Sequence, residues 1–174
     1  MNKYNGDNDV DNMPITENTF YSAYYMPKQY KVHFKTASNE SFIKNKNADN
    51  RNSKSYLYTD NKMPTMNVHY TEAFEELPSA SKTGHTFTGW FVLDENGNDT
   101  GVQIKKDEPF NYTRDITVVP HWEINSYKIT YDAATNGGVL SGKSSESVQY
   151  DSKVNIDTNS YSAAKDGFKF LGWN

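Results

Sequence analysis

The 174-residue sequence has no cysteine, an absence that removes disulfide staples, thiol nucleophiles, thioester cross-links and Cys-ligated zinc together. The redox compartment stays undetermined. Long apolar runs are missing too: no window reaches the roughly 18 residues of a membrane-spanning helix. Met1 leads into "NKYNGDNDVDN" rather than into a charged start and an apolar stretch. No membrane insertion is expected, and the sequence reads either as cytosolic or as a piece of a longer exported chain. A basic excess is absent as well. With 18 Lys and Arg against 22 Asp and Glu the formal charge is -4, so a polyanion is repelled on average and nucleic acid is not an expected partner. Hydrophobic residues make up only 35% and mean hydropathy is -0.89, low for one large core. What is plentiful is aromatic: 13 Tyr, 9 Phe and 3 Trp supply large buriable faces from few positions. Small aromatic cores under a polar surface are expected.

The aromatics are arranged in words that recur. "GHTFTGW" at Gly84 to Trp90 returns as "GFKFLGW" at Gly167 to Trp173, "YKVHF" at Tyr30 to Phe34 returns as "YKITY" at Tyr127 to Tyr131, and "VHY" at Val68 to Tyr70 returns as "VQY" at Val148 to Tyr150. Tyr30 and Tyr127 lie 97 positions apart, too far for a solenoid repeat and suitable for a small independent module. The same offset relates "DITVVPHW" at Asp115 to Trp122 with "NTFYSAYY" at Asn18 to Tyr25. The organisation read from these words is the end of one repeat at 1–29, a complete repeat at 30–126 with a polar insertion near 36–66, and the beginning of a following repeat at 127–174.

Within the words, Tyr30, Val32 and Phe34 alternate with Lys31, His33 and Lys35, the period-two pattern of a half-buried strand; Tyr127, Ile129 and Tyr131 do the same. Ile116, Val118, Pro120 and Trp122 alternate likewise, with the proline pointing to an edge strand or a strand margin. Gly89 and Gly172, each beside a tryptophan, suit close backbone approach beneath a large ring. "FVLDENGNDTGVQI" reads as a hairpin about an Asn-Gly turn. A helical turn or two fits "TEAFEELPSASKTG", limited by Pro78. The insertion, "NESFIKNKNADNRNSKSYLYTDNKMPT", is polar and Asn/Lys-rich, and a loop mobile or only locally ordered is expected there.

These words and their order, Y-x-V-x-F, then V-x-Y, then G-x-x-F-x-G-W, then a closing strand with a terminal aromatic, resemble the Listeria/Bacteroides repeat family, also described as the internalin B-repeat. The resemblance covers the chain from about Asn12 onward. It departs at "YTEAF", which lacks the usual glycine after the tyrosine, at His85 and Phe168, where a tyrosine is common, and at the insertion. It implies a mainly β or α+β fold: tandem small β-grasp-like modules, strands wrapped on a short helical segment, strung along bacterial cell-surface proteins. It also implies an extracellular role in adhesion or spacing, and brings no catalytic residues.

Side chains that suggest chemistry have plainer explanations. Asp7, Asp9 and Asp11 alternate as in a calcium loop, but Asn12 and Asn18 stand where glycine and a bidentate glutamate belong. His33, His69, His85 and His121 are far apart and none pairs at ligand spacing, so no metal is expected. No nucleophile turn such as G-x-S-x-G occurs. A non-enzyme without cofactors is expected. Trp90, Trp173, Phe87 and Phe170 hold matched positions and read as core or as a structural ridge. Tyr4, Tyr56, Tyr58 and Tyr112 lie outside the repeated words, and Tyr56 and Tyr58 in "SYLYT" are the candidate binding residues, two rings able to stack on a glycan or a partner protein of a host or cell surface. Because the stretch before Tyr30 resembles the closing strand that follows "GHTFTGW", strand exchange between chains is a further expectation.

Overall fold

The computed structural model describes residues 18, 22–43, 57–60, 63–156 and 161–174. The chain is mainly β. Its elements are β1 (Gln29–Phe34), β2 (Ser41–Ile43), β3 (Leu57–Asp60), β4 (Met63–His69), β5 (Ser79–Ser81), β6 (His85–Leu93), β7 (Asp99–Ile104), β8 (Ile116–Ile124), β9 (Ser126–Thr130), β10 (Val139–Gly142), β11 (Ser145–Gln149) and β12 (Tyr161–Ala164). The helical content among the described residues is one 3-10 turn, Ala134–Asn136.

The first copy of the repeated words builds a six-stranded sheet in the order β3-β4-β1-β8-β6-β7. The β1/β8 pair is parallel and the other neighbours are antiparallel. Alternation in the sequence becomes a buried face: Val32 and Phe34 from β1, Met66 and Val68 from β4, Ile116 and Val118 from β8, and Trp90 and Val92 from β6 are all at most 2% exposed. Phe74, Ala80, Ile104 and Phe110 complete that core. The hairpin forms as its sequence predicts, with Asp94 accepting hydrogen bonds from the Asn96 and Asn98 N–H groups.

Three expectations are corrected. The span after Thr71 is extended, because its backbone is bonded laterally: Phe110 N–H donates to Glu72 O, Phe74 N–H to Glu108 O and Asp107 N–H to Phe74 O. β5 then pairs with β2, and the pair packs Ala80 and Phe42 on the core where a helix was expected. Within the insertion the local order is β2 and β3; Phe42 of β2 finds Phe34 and Trp90 at 5.8 and 6.0 Å between ring centroids. β8 is internal to the sheet despite Pro120. The proline lies beyond Val118, the last residue of β8 paired with β1, so its missing donor interrupts no β1 bond. Finally, Gly89 (φ 147°) sits under an amide and not under a ring: a Cβ there would meet Gln103 Nε2 at 2.0 Å, because that amide crosses the strand to donate to Thr88 O at 3.0 Å.

The second copy repeats the plan on a smaller scale. β9 pairs with β11 in the register of β1 with β4, Val148 facing Tyr127 as Val68 faces Tyr30. β10 pairs with β12. Residues 165–174 form no strand.

Candidate functional site at the repeat junction

The repeated words produce repeated contacts. Trp90 Nε1–H donates to Pro78 O at 2.7 Å, and Trp173 Nε1–H donates to Tyr161 O at 3.1 Å, again 12 residues back. Phe87 meets Trp90 with ring centroids 5.4 Å apart and planes at 64°; Phe170 meets Trp173 at 5.4 Å and 67°. Phe34 lies 5.0 Å from Trp90 and Tyr131 lies 5.3 Å from Trp173. An edge-to-face pair pinned by an indole hydrogen bond is thus the structural meaning of "G-x-x-F-x-G-W".

Where the copies meet, Asn125 is bonded to both. Asn125 N–H donates to Gly84 O at 2.9 Å, and Asn125 O accepts from Tyr150 N–H at 2.8 Å. Its side-chain Oδ1 accepts from Thr86 Oγ1 at 2.7 Å. The Tyr150 ring lies directly on Gly84: a Cβ at that glycine would fall 2.1 Å from the ring. Gly84 also has φ 71°, so two independent reasons require glycine there. The His85 ring stands edge-on to Tyr150 at 6.2 Å. The connection between copies is held from both sides by backbone hydrogen bonds and one aromatic plug.

Two polar clusters lie away from the junction. In the second copy, the Glu146 carboxylate accepts from Tyr131 OH at 2.6 Å and from Tyr161 OH at 2.7 Å. These bonds, Tyr131's foremost, hold the Glu146 carboxyl below its ordinary value, while the bond to Glu146 pushes Tyr131 up to about 12. In the first copy His121 Nε2 bonds Asp99 Oδ2, and the imidazole stacks on Phe91 at 3.7 Å. The Gly101 N–H and then His121 hold the Asp99 carboxyl below the usual range.

Of the residues singled out from sequence, Tyr56 lies outside the described residues, as do Tyr4, Asp7, Asp9 and Asp11. Tyr58 is in β3, facing Thr65 of β4 at the edge of the six-stranded sheet. Tyr112 is a packing residue: it rests on the core with its ring 5.4 Å from Phe110. The histidines are not brought together; His33 bonds Thr65, His69 bonds Glu72, His85 bonds Thr83 O, and His121 bonds Asp99. Sequence reasoning missed Asn125 and Tyr150 as a junction, although the short "EINS" between Trp122 and Tyr127 signalled close neighbours.

The fold and this junction define a tandem of small aromatic-pinned β units. The chain belongs to the Listeria-Bacteroides repeat domain family, whose model matches residues 30–120 and again 127–174. It is similar to Internalin H of Listeria monocytogenes, 30% identical over 115 residues that make up 66% of this chain and 18% of that protein. It is similar also to a protein of Evansella cellulosilytica named as a membrane protein, 29% identical over 112 residues, 64% of this chain and 15% of that one. The chain therefore spans less than a fifth of the length of these curated relatives. No solved structure matches it. Among the described residues no helix is long and apolar enough to cross a membrane.

Proposed function

We propose that this chain is a non-catalytic stretch of a bacterial cell-surface protein, serving as an extracellular adhesive stalk or spacer. It would comprise the end of one repeat (1–29), a complete repeat (30–126) and the start of another (127–174). The observation that carries this reading is the junction: Asn125 is hydrogen-bonded by its backbone to both copies, which favours fixed spacing over a loose string. Family membership and the resemblance to Internalin H support the surface setting. The role is then mechanical and multivalent, with repeated units setting distance and, where they bind, raising effective concentration.

The second reading, a carbohydrate- or mucin-binding unit using Tyr56 and Tyr58, draws on the position of β3 at the sheet edge. The test is binding of the whole chain to a panel of glycans, mucins and matrix proteins, beside Tyr56→Ala and Tyr58→Ala. Saturable binding lost in both variants selects the adhesive role with its site in "SYLYT". Binding that survives both places adhesion elsewhere, and no binding at high concentration selects the spacer. A chain whose two copies tumble independently in small-angle scattering would remove the fixed-spacing argument.

A further inference from the structure

The first copy begins in β1 and ends in β8, and these two strands are neighbours in the middle of its sheet. They are parallel, in the register Val32↔Ile116, His33↔Thr117 and Phe34↔Val118. That direction decides how tension acts on them. The chain enters at Gln29, on one side of the paired residues, and leaves past Ile124, on the other. A pull along the chain therefore drags β1 and β8 lengthwise past each other and stretches every bond between them at once. Strands drawn apart from one end would part bond by bond.

The ladder is continued at both of its ends. Lys35 N–H donates to Val118 O at 2.9 Å, and the Asp115 carboxylate accepts from Lys31 N–H at 2.9 Å through Oδ1. Its inner side is dry, with Val32, Phe34, Ile116 and Val118 at most 1% exposed, so the opposed strands cannot slip without carrying apolar side chains out of the core. Both flanks are occupied as well: β4 pairs with β1 from Gln29 to His33, and β6 pairs with β8 from Val118 to Ile124. Neither strand is free to swing aside. Pro120, which has no N–H to give, falls beyond the residues that β8 shares with β1.

We infer that the β1/β8 ladder is a shear clamp, by which the first copy carries tension along the chain without unfolding, and that Asp115 serves it as a side-chain rung. Fixed spacing alone would be met by entry and exit strands placed anywhere in the sheet. Their parallel pairing at its centre adds resistance to pulling. Asn125 follows β8 directly and its backbone is bonded to Gly84 and to Tyr150, so a pull from the second copy reaches β8 at its exit end. The inference rests on the stalk reading above, because only a chain held at both ends is under tension.

The test is single-molecule force spectroscopy of the full chain, which has no cysteine and so takes handles at chosen pairs of introduced thiols. Met26→Cys with Glu123→Cys loads the ladder in shear. Met26→Cys with Thr113→Cys puts both handles at the same end of the ladder and peels it. All three positions are exposed, and neither pair touches the core. At one loading rate, where the unfolding barrier sets the rupture force, the shear pair should need several times the force of the peeling pair. Equal forces overturn the clamp. Asp115→Ala should lower the shear force, since one of several rungs loaded together is lost. It should leave the peeling force as it was, since peeling is limited by the strongest single rung. Two forces that fall in proportion would mark a general loss of stability, and two unchanged forces an idle carboxylate; either removes Asp115 from the clamp. The comparison of handle pairs uses no destabilising substitution, so it decides even where Asp115→Ala weakens the fold. Rupture force reports strand geometry, and the binding and scattering measurements above report the stalk reading, so the failure of one is told apart from the failure of the other.

Discussion

The two copies share their words, their strand register and their indole hydrogen bonds, yet among the described residues one encloses an extended core and the other buries only Tyr131, Ala133 and Tyr161. Trp90 is 1% exposed, inside a cluster that includes Phe34, Met66 and Val118. Trp173 is half-buried, and Leu171 beside it is 89% exposed. Two differences account for this. β8 lies against β6 along its length and brings Trp122 to 5.7 Å from Phe87, whereas among the described residues no strand pairs with 168–174. The interior positions also change character: Phe34 and Met66 in the first copy correspond to Tyr131 and Glu146 in the second, which hydrogen-bond each other. Local words specify turn and ring geometry. Burial needs the closing strand.

Removing the two tryptophans tests this most severely. Trp90→Ala should cost about 3–5 kcal/mol, the range for truncating a buried large aromatic, and Pro78 O would lose its donor. Trp173→Ala should cost about 1–2 kcal/mol, because its ring is only partly removed from water. Urea unfolding followed by near-ultraviolet circular dichroism measures both. Equal losses would mean that β8 contributes little to the first core.

A glycine pair sharpens the contrast at the junction. Gly84→Ala must displace the Tyr150 ring as well as hold a Cβ at positive φ, and about 2–3 kcal/mol is expected. Gly167→Ala in dilute solution meets only the backbone term, about 1–2 kcal/mol. Calorimetry should show the Gly84 variant separating into two transitions as the copies uncouple. A single sharp transition retained in Gly84→Ala would show that Asn125 alone couples them.

Much of the first copy was legible because alternation reports burial directly: Val32, Phe34, Ile116 and Val118 were assigned inward and are inward. The hairpin was legible because Asn-Gly turn chemistry is local. The segment after Thr71 was not, since its extended form depends on lateral bonds to Asp107, Glu108 and Phe110, more than 30 residues away. Gly89 was recognised as special without the right partner, and Gly84 was read only as the start of a repeated word. The atoms that crowd them belong to Tyr150 and Gln103, and no local pattern announces a ring or an amide arriving from another strand. Asn125 was hidden for the same reason, an ordinary linker residue whose role is made by what lies on either side.

The polar interior of the second copy predicts a pH response centred on Tyr131 and Glu146. Tyr131 has its folded value raised to about 12 from 10.0, chiefly by its bond to Glu146. A raised value contributes stability that is fully present below 10.0 and is lost as pH climbs toward about 12. Glu146 is lowered from 4.5, first by Tyr131 and then by Tyr161; its contribution is present above 4.5 and is lost as pH falls through the lowered value. Near-ultraviolet dichroism should therefore show the second copy loosening at both extremes. Glu146→Met, which copies Met66, should flatten both limbs. An unchanged profile in that variant would remove the cluster as the cause.

The smallest effect is expected on the outer face of the first copy, where Asp99 meets His121. Both side chains are more than a third exposed, so solvent screens the pair, and surface pairs of this kind contribute about 0–1 kcal/mol. The Gly101 N–H, and not the histidine, is the largest cause of Asp99's lowered value, so Asp99→Asn removes the carboxylate from its strongest donor as well as from His121. The imidazole keeps its stacking on Phe91 whatever Asp99 becomes. A double-mutant cycle of Asp99→Asn with His121→Ala should therefore return a coupling below about 1 kcal/mol, diminishing as pH falls through Asp99's lowered value. A coupling several times larger would mark this outer face as a built polar site, and would give the first copy a specialised surface of its own beyond the enclosed core that already distinguishes it from the second.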